Sequence, residues 1–169
     1  EKTLNLDPST LVINPETKAV ITVDCYGRLA DIEGIRQRFD GLIIEDAAHA
    51  PGSSFMGKKL GTLGDVGCFS FFANKNLTTA EGGMALTNCN ELAHKMALLR
   101  SHGITRDTAH MTHAPDGPWY YQQIELGFNY RMTEIQAALG SSQILKLDRF
   151  IARRRELVAQ LWRWAAWAR

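Results

Sequence analysis

The sequence predicts an α/β domain built on a parallel sheet, and three observations carry that prediction. Two short apolar runs, Lys18-Ala19-Val20-Ile21-Thr22-Val23 and Leu42-Ile43-Ile44, flank an amphipathic segment from Asp31 to Phe39. Strand, helix and strand at this spacing argue for a right-handed crossover, with helices on the faces of the sheet. Asp24, Asp46 and the residues leading to Lys75 fall at or soon after strand ends, and sheets of this kind bind ligands at the carboxyl ends of their strands. With 169 residues, 45% of them hydrophobic and 22% charged, the chain has enough apolar material for one soluble domain with a buried core.

Taken in order, Asp7-Pro8-Ser9-Thr10 reads as a helix start and Lys18 to Val23 as a short buried strand. Between Asp31 and Phe39 the apolar residues Ile32, Ile35 and Phe39 share one side, which predicts a helix. Leu42 to Ile44 makes the next strand. Val66 to Phe72 is apolar and aromatic, and Gly82 to Thr87 reads as a strand after a turn. Asn90 to Arg100 is a helix with Asn90 as N-cap and Leu92, Met96 and Leu99 on a face. Ser101 to Tyr130 lacks periodicity and holds many turn formers, so it reads as a long loop, a feature that is usually functional or disordered. Thr133-Glu134-Ile135-Gln136 has the form of a capping box, opening a helix to about Leu147, and a second helical stretch runs from Asp148 to Leu161.

Composition excludes several classes. A formal net charge of +1 gives no overall basic field for nucleic acid, and Arg153-Arg154-Arg155 reads as a solvated helix face. The three cysteines, Cys25, Cys68 and Cys89, are widely spaced and form neither a disulfide framework nor a zinc pattern, which fits a reducing cytoplasm. The five histidines make no His-Glu-x-x-His motif, so no metal site is expected. No apolar run is long enough to span a bilayer, so no membrane partner is expected. The Gly-x-Gly-x-x-Gly fingerprint of a dinucleotide binder is missing as well.

Four blocks carry the chemistry: Glu45-Asp46-Ala47-Ala48-His49, Phe69-Ser70-Phe71 running to Lys75, Glu81-Gly82-Gly83, and Leu126-Gly127-Phe128-Asn129-Tyr130-Arg131 running to Gly140. A lysine and a carboxylate delivered by two strand ends, 29 residues apart, are what pyridoxal phosphate chemistry requires. In this order the four blocks resemble the DegT/DnrJ/StrS family of sugar aminotransferases. The resemblance covers roughly residues 1 to 160. It implies the three-layer α/β/α large domain of the PLP-dependent transferases, the aspartate aminotransferase fold type I, incomplete at both ends. Residues 161–169 form a divergent tail that does not resemble the family, and a smaller C-terminal domain is expected to be absent.

The resemblance also implies roles. Lys75 is the Schiff-base and proton-carrying lysine; its alternative is a solvated surface lysine. Asp46 pairs with the ring nitrogen of pyridoxal 5'-phosphate, against a helix N-cap or turn aspartate, while Glu45 serves structure. His49 stacks on or hydrogen-bonds near the phenolic oxygen, against a core histidine. Ser70 binds the phosphate, against a strand serine satisfied by backbone. Asn129 reaches across a homodimer interface to the neighbouring phosphate, so that the active site is shared; its alternative is a turn asparagine. Arg131 holds an anionic substrate group or braces the helix start, and these two remain open.

Ser101 to Asp107 and Gly117 to Tyr121 resemble the branch of the family that acts in pseudaminic acid synthesis. The implied reaction is amination by glutamate at C4 of a UDP-linked 4-keto-6-deoxy amino sugar. Aminotransferases of the perosamine, aminoarabinose and 3-amino sugar types are the alternatives. Lys75 argues against the family's dehydratases, which carry histidine there. A chain lacking the upstream phosphate loop and the downstream small domain can also be a catalytically incomplete fragment, acting as a structural or binding unit.

Overall fold

In the computed structural model, residues 3–167 are described; Glu1, Lys2, Ala168 and Arg169, the last two belonging to the expected tail, lie outside them. The first strand, β1 (Ala19–Val23), is followed by α1 (Ile32–Arg36) and β2 (Leu42–Asp46). β1 and β2 are parallel, in the register Val20↔Ile43 and Val23↔Asp46. Val20, Ala30, Ile32, Ile35, Phe39 and Ile43 form one buried cluster, with Leu6, Leu11, Ile13, Leu29 and Leu63 packed against it. Each fully buried Ile or Phe contributes about 1.5–3 kcal/mol, so this cluster is what holds the crossover to the sheet. The amphipathic face read from Ile32, Ile35 and Phe39 is therefore the core face. The helix is shorter than expected: Asp31 caps it through Oδ1, which accepts from Gly34 N at 2.8 Å, and beyond Arg36 the chain turns to bring Phe39 back under the sheet. Among the described residues one face of β1 is covered: Val20 and Thr22 are buried while Ile21 and Val23 are exposed.

A small hairpin, β3 (Ser54–Phe55) with β4 (Lys58–Lys59), precedes β5 (Val66–Ser70), which lies parallel to β2, with Asp46 opposite Cys68. β6 (Gly83–Leu86) completes the order β1-β2-β5-β6, and it is antiparallel to β5. The parallel sheet expected from sequence is found in β1, β2 and β5, and β6 adds an antiparallel edge that makes the whole sheet mixed. The segment joining β5 to β6 holds no helix, and an antiparallel return needs no crossover. Asp7-Pro8-Ser9-Thr10 forms a single 3₁₀ turn, Pro8–Thr10, capped by Asp7.

The chain divides into two compact units, Thr87–Thr133 and the residues on either side of it. In the first of these, α2 (Asn90–Arg100) is capped by Cys89, which gives no side-chain bond, and Asn90 is already helical. The expected Asn90 cap is off by one position, a common margin at helix ends. The expected loop from Ser101 to Tyr130 contains a two-stranded ladder, β7 (Ile104–Thr105) with β8 (Gln122–Gln123). Buried Gln122 closes the segment between them, accepting from Thr112 N at 2.7 Å and donating to His113 O at 3.1 Å. In the other unit, α3 (Glu134–Ile144) and α4 (Leu147–Trp167) follow. α4 continues through Leu161, where the divergent tail is expected to begin, without a break.

Candidate active site

Asp46 closes β2, and the sheet register sets it between Val23 of β1 and Cys68 of β5. Its carbonyl accepts from Asp24 N at 3.0 Å. The half-buried side chain makes an Asx turn, Oδ1 accepting from Ala48 N at 3.1 Å. Among the described residues Oδ2 has no hydrogen-bond partner. Burial, reinforced by the Asp46 carboxylate, pushes the Cys68 thiol above its ordinary range.

Glu45 points to the opposite face of the strand. It is fully buried, and it accepts from Gly61 N at 2.9 Å, from Leu63 N at 2.6 Å and from Gly64 N. Three backbone donors aimed at one carboxylate tie the 61–64 turn to the sheet, which agrees with the structural role read from sequence. The turn comes so close to β5 that a Cβ on Gly67 would lie 1.9 Å from Gly61 O.

Ser70 ends β5, half-buried, with Oγ accepting from Phe72 N at 3.3 Å. Lys75 is not at the strand end itself. It lies within the loop from Phe71 to Gly82, which is closed on itself: Phe71 N donates to Gly82 O at 2.8 Å, Thr79 N to Phe71 O at 2.9 Å, and Thr78 Oγ1 to Phe71 O at 3.1 Å. Phe71, Leu77 and Thr79 are buried and anchor it. Lys75 N donates to Phe72 O at 3.0 Å, so the lysine leaves a tight turn on a braced base. Next to it, Asn76 Nδ2 reaches Pro51 O at 3.5 Å, linking this loop to the segment that carries His49.

His49 is exposed, not a core histidine, and its ring lies parallel to that of Tyr26, with centroids 5.5 Å apart and planes 8° apart. Asp46, His49, Ser70 and Lys75 thus belong to one unit, at or just beyond the carboxyl edge of three parallel strands. Asn129 and Arg131 belong to the other unit. There both are exposed, and Asn129 pairs with Ser101 in an antiparallel bridge while Phe128 N and Tyr130 N bond to Leu99 O and Arg100 O at the end of α2.

Two features escaped the sequence reading. Tyr26 is one in its role: it lies in the Asp24-Cys25-Tyr26-Gly27 stretch expected at the functional end of β1, yet nothing in its neighbours marks it as the partner of His49. Asp24 is the other in its chemistry: it was expected at the functional edge of β1, and it is fully buried there. Its Oδ1 accepts from Ala30 N at 3.0 Å, while Oδ2 and the neighbouring Thr22 Oγ1 have no partner among the described residues. Burial raises the Asp24 carboxyl from 3.8 to about 6, against the Ala30 bond and with the help of nearby Glu45. Among the described residues no cluster of three or more His, Cys, Asp or Glu could hold a metal, and no helix is long and apolar enough to cross a membrane.

Comparison with known proteins gives the family and the fold. The GDP-perosamine synthase of Caulobacter vibrioides is 44% identical over 162 residues, covering 93% of this chain and 41% of its own. The solved structure of PseC of Helicobacter pylori, an aminotransferase involved in the biosynthesis of pseudoaminic acid, superposes with a TM-score of 0.76 at 36% identity, covering 85% of this chain and 38% of that one. Spr1654 of Streptococcus pneumoniae in its PLP form gives 0.75 at 29% identity, covering 87% and 41%. The fold is therefore the α/β fold of the type I PLP-dependent aminotransferases, and this chain spans about two-fifths of the length of the curated relatives it matches. The sequence pattern of the DegT/DnrJ/EryC1/StrS aminotransferase family matches residues 1–164, and the chain belongs to that family of PLP-dependent sugar aminotransferases.

Proposed function

We propose that this chain supplies the cofactor-holding edge of an aminotransferase that moves an amino group from glutamate to C4 of a UDP-linked 4-keto-6-deoxy amino sugar. The observation that carries the reading is the convergence of Asp46, Ser70 and the Lys75 loop on one carboxyl edge, with Asp46 Oδ2 lacking any partner among the described residues. These residues suit pyridoxal phosphate by their chemistry: a carboxylate for a ring nitrogen, a hydroxyl for a phosphate oxygen, a primary amine for an aldehyde and an imidazole for a phenolic oxygen. When bound, that cofactor supplies an aldehyde and an electron-accepting ring. In this reading Asp46 Oδ2 holds the proton on the ring nitrogen and Ser70 Oγ donates to the phosphate. Lys75 Nζ binds the cofactor and carries the proton to and from C4 of the sugar. The braced 71–82 loop holds in place the backbone from which the amine extends.

Asn129 of a second copy would complete the phosphate site in a homodimer, and Arg131 would meet an anionic substrate group or brace α3. The likeness to PseC supports a pseudaminic-type sugar, and the likeness to the Caulobacter enzyme supports a perosamine-type sugar equally. The test is the visible spectrum of the purified protein with added pyridoxal phosphate, beside Lys75→Ala. A bound-cofactor band that requires Lys75 is expected; identical spectra for the two proteins would refute the role.

One observation favours a second reading, that of a non-catalytic binding unit. α4 exposes large apolar side chains at Leu161, Trp162 and Trp164, and apolar surface of this kind drives association. A colourless oligomer in the same experiment would favour that reading.

A further inference from the structure

We propose that Tyr26 is a positioning residue that fixes the ring plane of His49 at the cofactor edge. The inference rests on the cofactor reading above and adds a residue to it. Tyr26 has a left-handed backbone, φ 54 and ψ 30, inside the Cys25–Gly27 turn that follows β1. A bulky side chain in that region costs about 1–2 kcal/mol, and such strain persists where the surroundings impose it. Here they do. Asn5 straddles the turn, its Oδ1 accepting from Cys25 N at 3.1 Å and its Nδ2 donating to Arg28 O at 2.9 Å. Gly27, also left-handed at φ 77, packs so closely on the His49 segment that a Cβ would stand 2.7 Å from Ser53 Oγ and 3.2 Å from His49 O. The base of the turn is tied to the end of β2 through Asp24 N and Asp46 O.

The strain serves no burial, because Tyr26 is 81% exposed. What it achieves is the parallel stack on His49. His49 is exposed and its ring makes no hydrogen bond among the described residues, so the Tyr26 face is the ring contact that restrains its rotation. An imidazole that must present one nitrogen to a ligand oxygen needs such a restraint, since each freely rotating side chain that is ordered on binding weakens affinity. Tyr26 therefore acts on the ligand through His49.

The experiment compares the full chain with Tyr26→Asn, which tolerates the left-handed backbone and removes the ring, and Tyr26→Phe, which keeps the ring. Proton NMR of the protein without cofactor reads the ring-current shift of the His49 carbon-bound protons. Titration with pyridoxal phosphate reads affinity and the pH at which the bound cofactor's visible band changes. Tyr26→Asn is expected to lose the ring-current shift, to bind pyridoxal phosphate about 2- to 12-fold more weakly, and to move the pH midpoint of the band; Tyr26→Phe is expected to match the parent in all three. Loss of the ring-current shift with unchanged affinity and midpoint would overturn the positioning role and leave the cofactor reading intact. A parent protein with the ring-current shift and no Lys75-dependent band would overturn the cofactor reading itself, and the positioning role with it.

Discussion

Replacing Asp24 with asparagine isolates a carboxyl that the fold holds far from its ordinary protonation range. The side chain is fully buried, with one oxygen on Ala30 N and the other unpartnered among the described residues, beside Glu45. Its carboxyl is raised from 3.8 to about 6. Because the folded form binds the proton more tightly than the unfolded chain, the contribution to stability is fully present below 3.8 and is lost as the pH rises through about 6. The total lost is about 3 kcal/mol, since each pH unit between the two values is worth about 1.36 kcal/mol. Between about pH 5 and about pH 8 the share lost is about 1.4 kcal/mol. Asparagine keeps an acceptor for Ala30, places a donor near Glu45 and does not titrate. Urea unfolding of both proteins at the two pH values measures the effect. The stability of Asp24→Asn relative to the parent is expected to improve by about 1.4 kcal/mol from the lower pH to the higher. A difference that is the same at both pH values would refute the assignment of a buried, neutral Asp24.

Two other substitutions probe the supports of the site. Gly67→Ala sets a methyl group against Gly61 O, a backbone atom that cannot swing aside, and is expected to cost about 3 kcal/mol in urea unfolding; a loss under about 0.5 kcal/mol would contradict the close approach of the 61–64 turn to β5. Leu77→Ala removes a side chain that is 4% exposed from under the Lys75 loop and is expected to cost about 2–5 kcal/mol. Limited proteolysis should then cut between Phe71 and Gly82 sooner than in the parent, and an unchanged cleavage pattern would argue against that anchor.

The strands β1, β2 and β5 were legible because each is an apolar run bounded by turn formers, and α1 because its buried residues recur at helical spacing. The direction of β6 was not legible: a four-residue strand has the same composition either way, and only the lack of a helix between Ser70 and Gly83 argues for the antiparallel return. β7 and β8, at two residues each, are too short to show a period. At the site, Asp46, Ser70 and Lys75 stood out by position and by resemblance, and their roles come from the resemblance. Tyr26 was not legible because a positive φ at a non-glycine residue is imposed by contacts, here those of Asn5 and the His49 segment, and local composition does not record it.

Asp24, Glu45 and Asp46 show how one strand edge separates three carboxyl groups of similar intrinsic chemistry. Glu45, turned to the inner face, spends its acceptor capacity on three backbone donors and becomes a fastener for the 61–64 turn. Asp24, one strand away and fully buried, has a single donor, and burial makes the neutral acid its favoured form up to about pH 6. Asp46 alternates to the other side of β2, where it is half-buried and only Oδ1 is engaged by the described residues. A carboxylate that must meet a ligand nitrogen needs an open oxygen that a ligand can reach; both oxygens of Glu45 are engaged, and the unpartnered oxygen of Asp24 is fully buried. The pleat of β2 and the depth of each residue, rather than the residue type, thus leave Asp46 with the open oxygen that the proposed cofactor role requires, while Glu45 and Asp24 are buried in the scaffold.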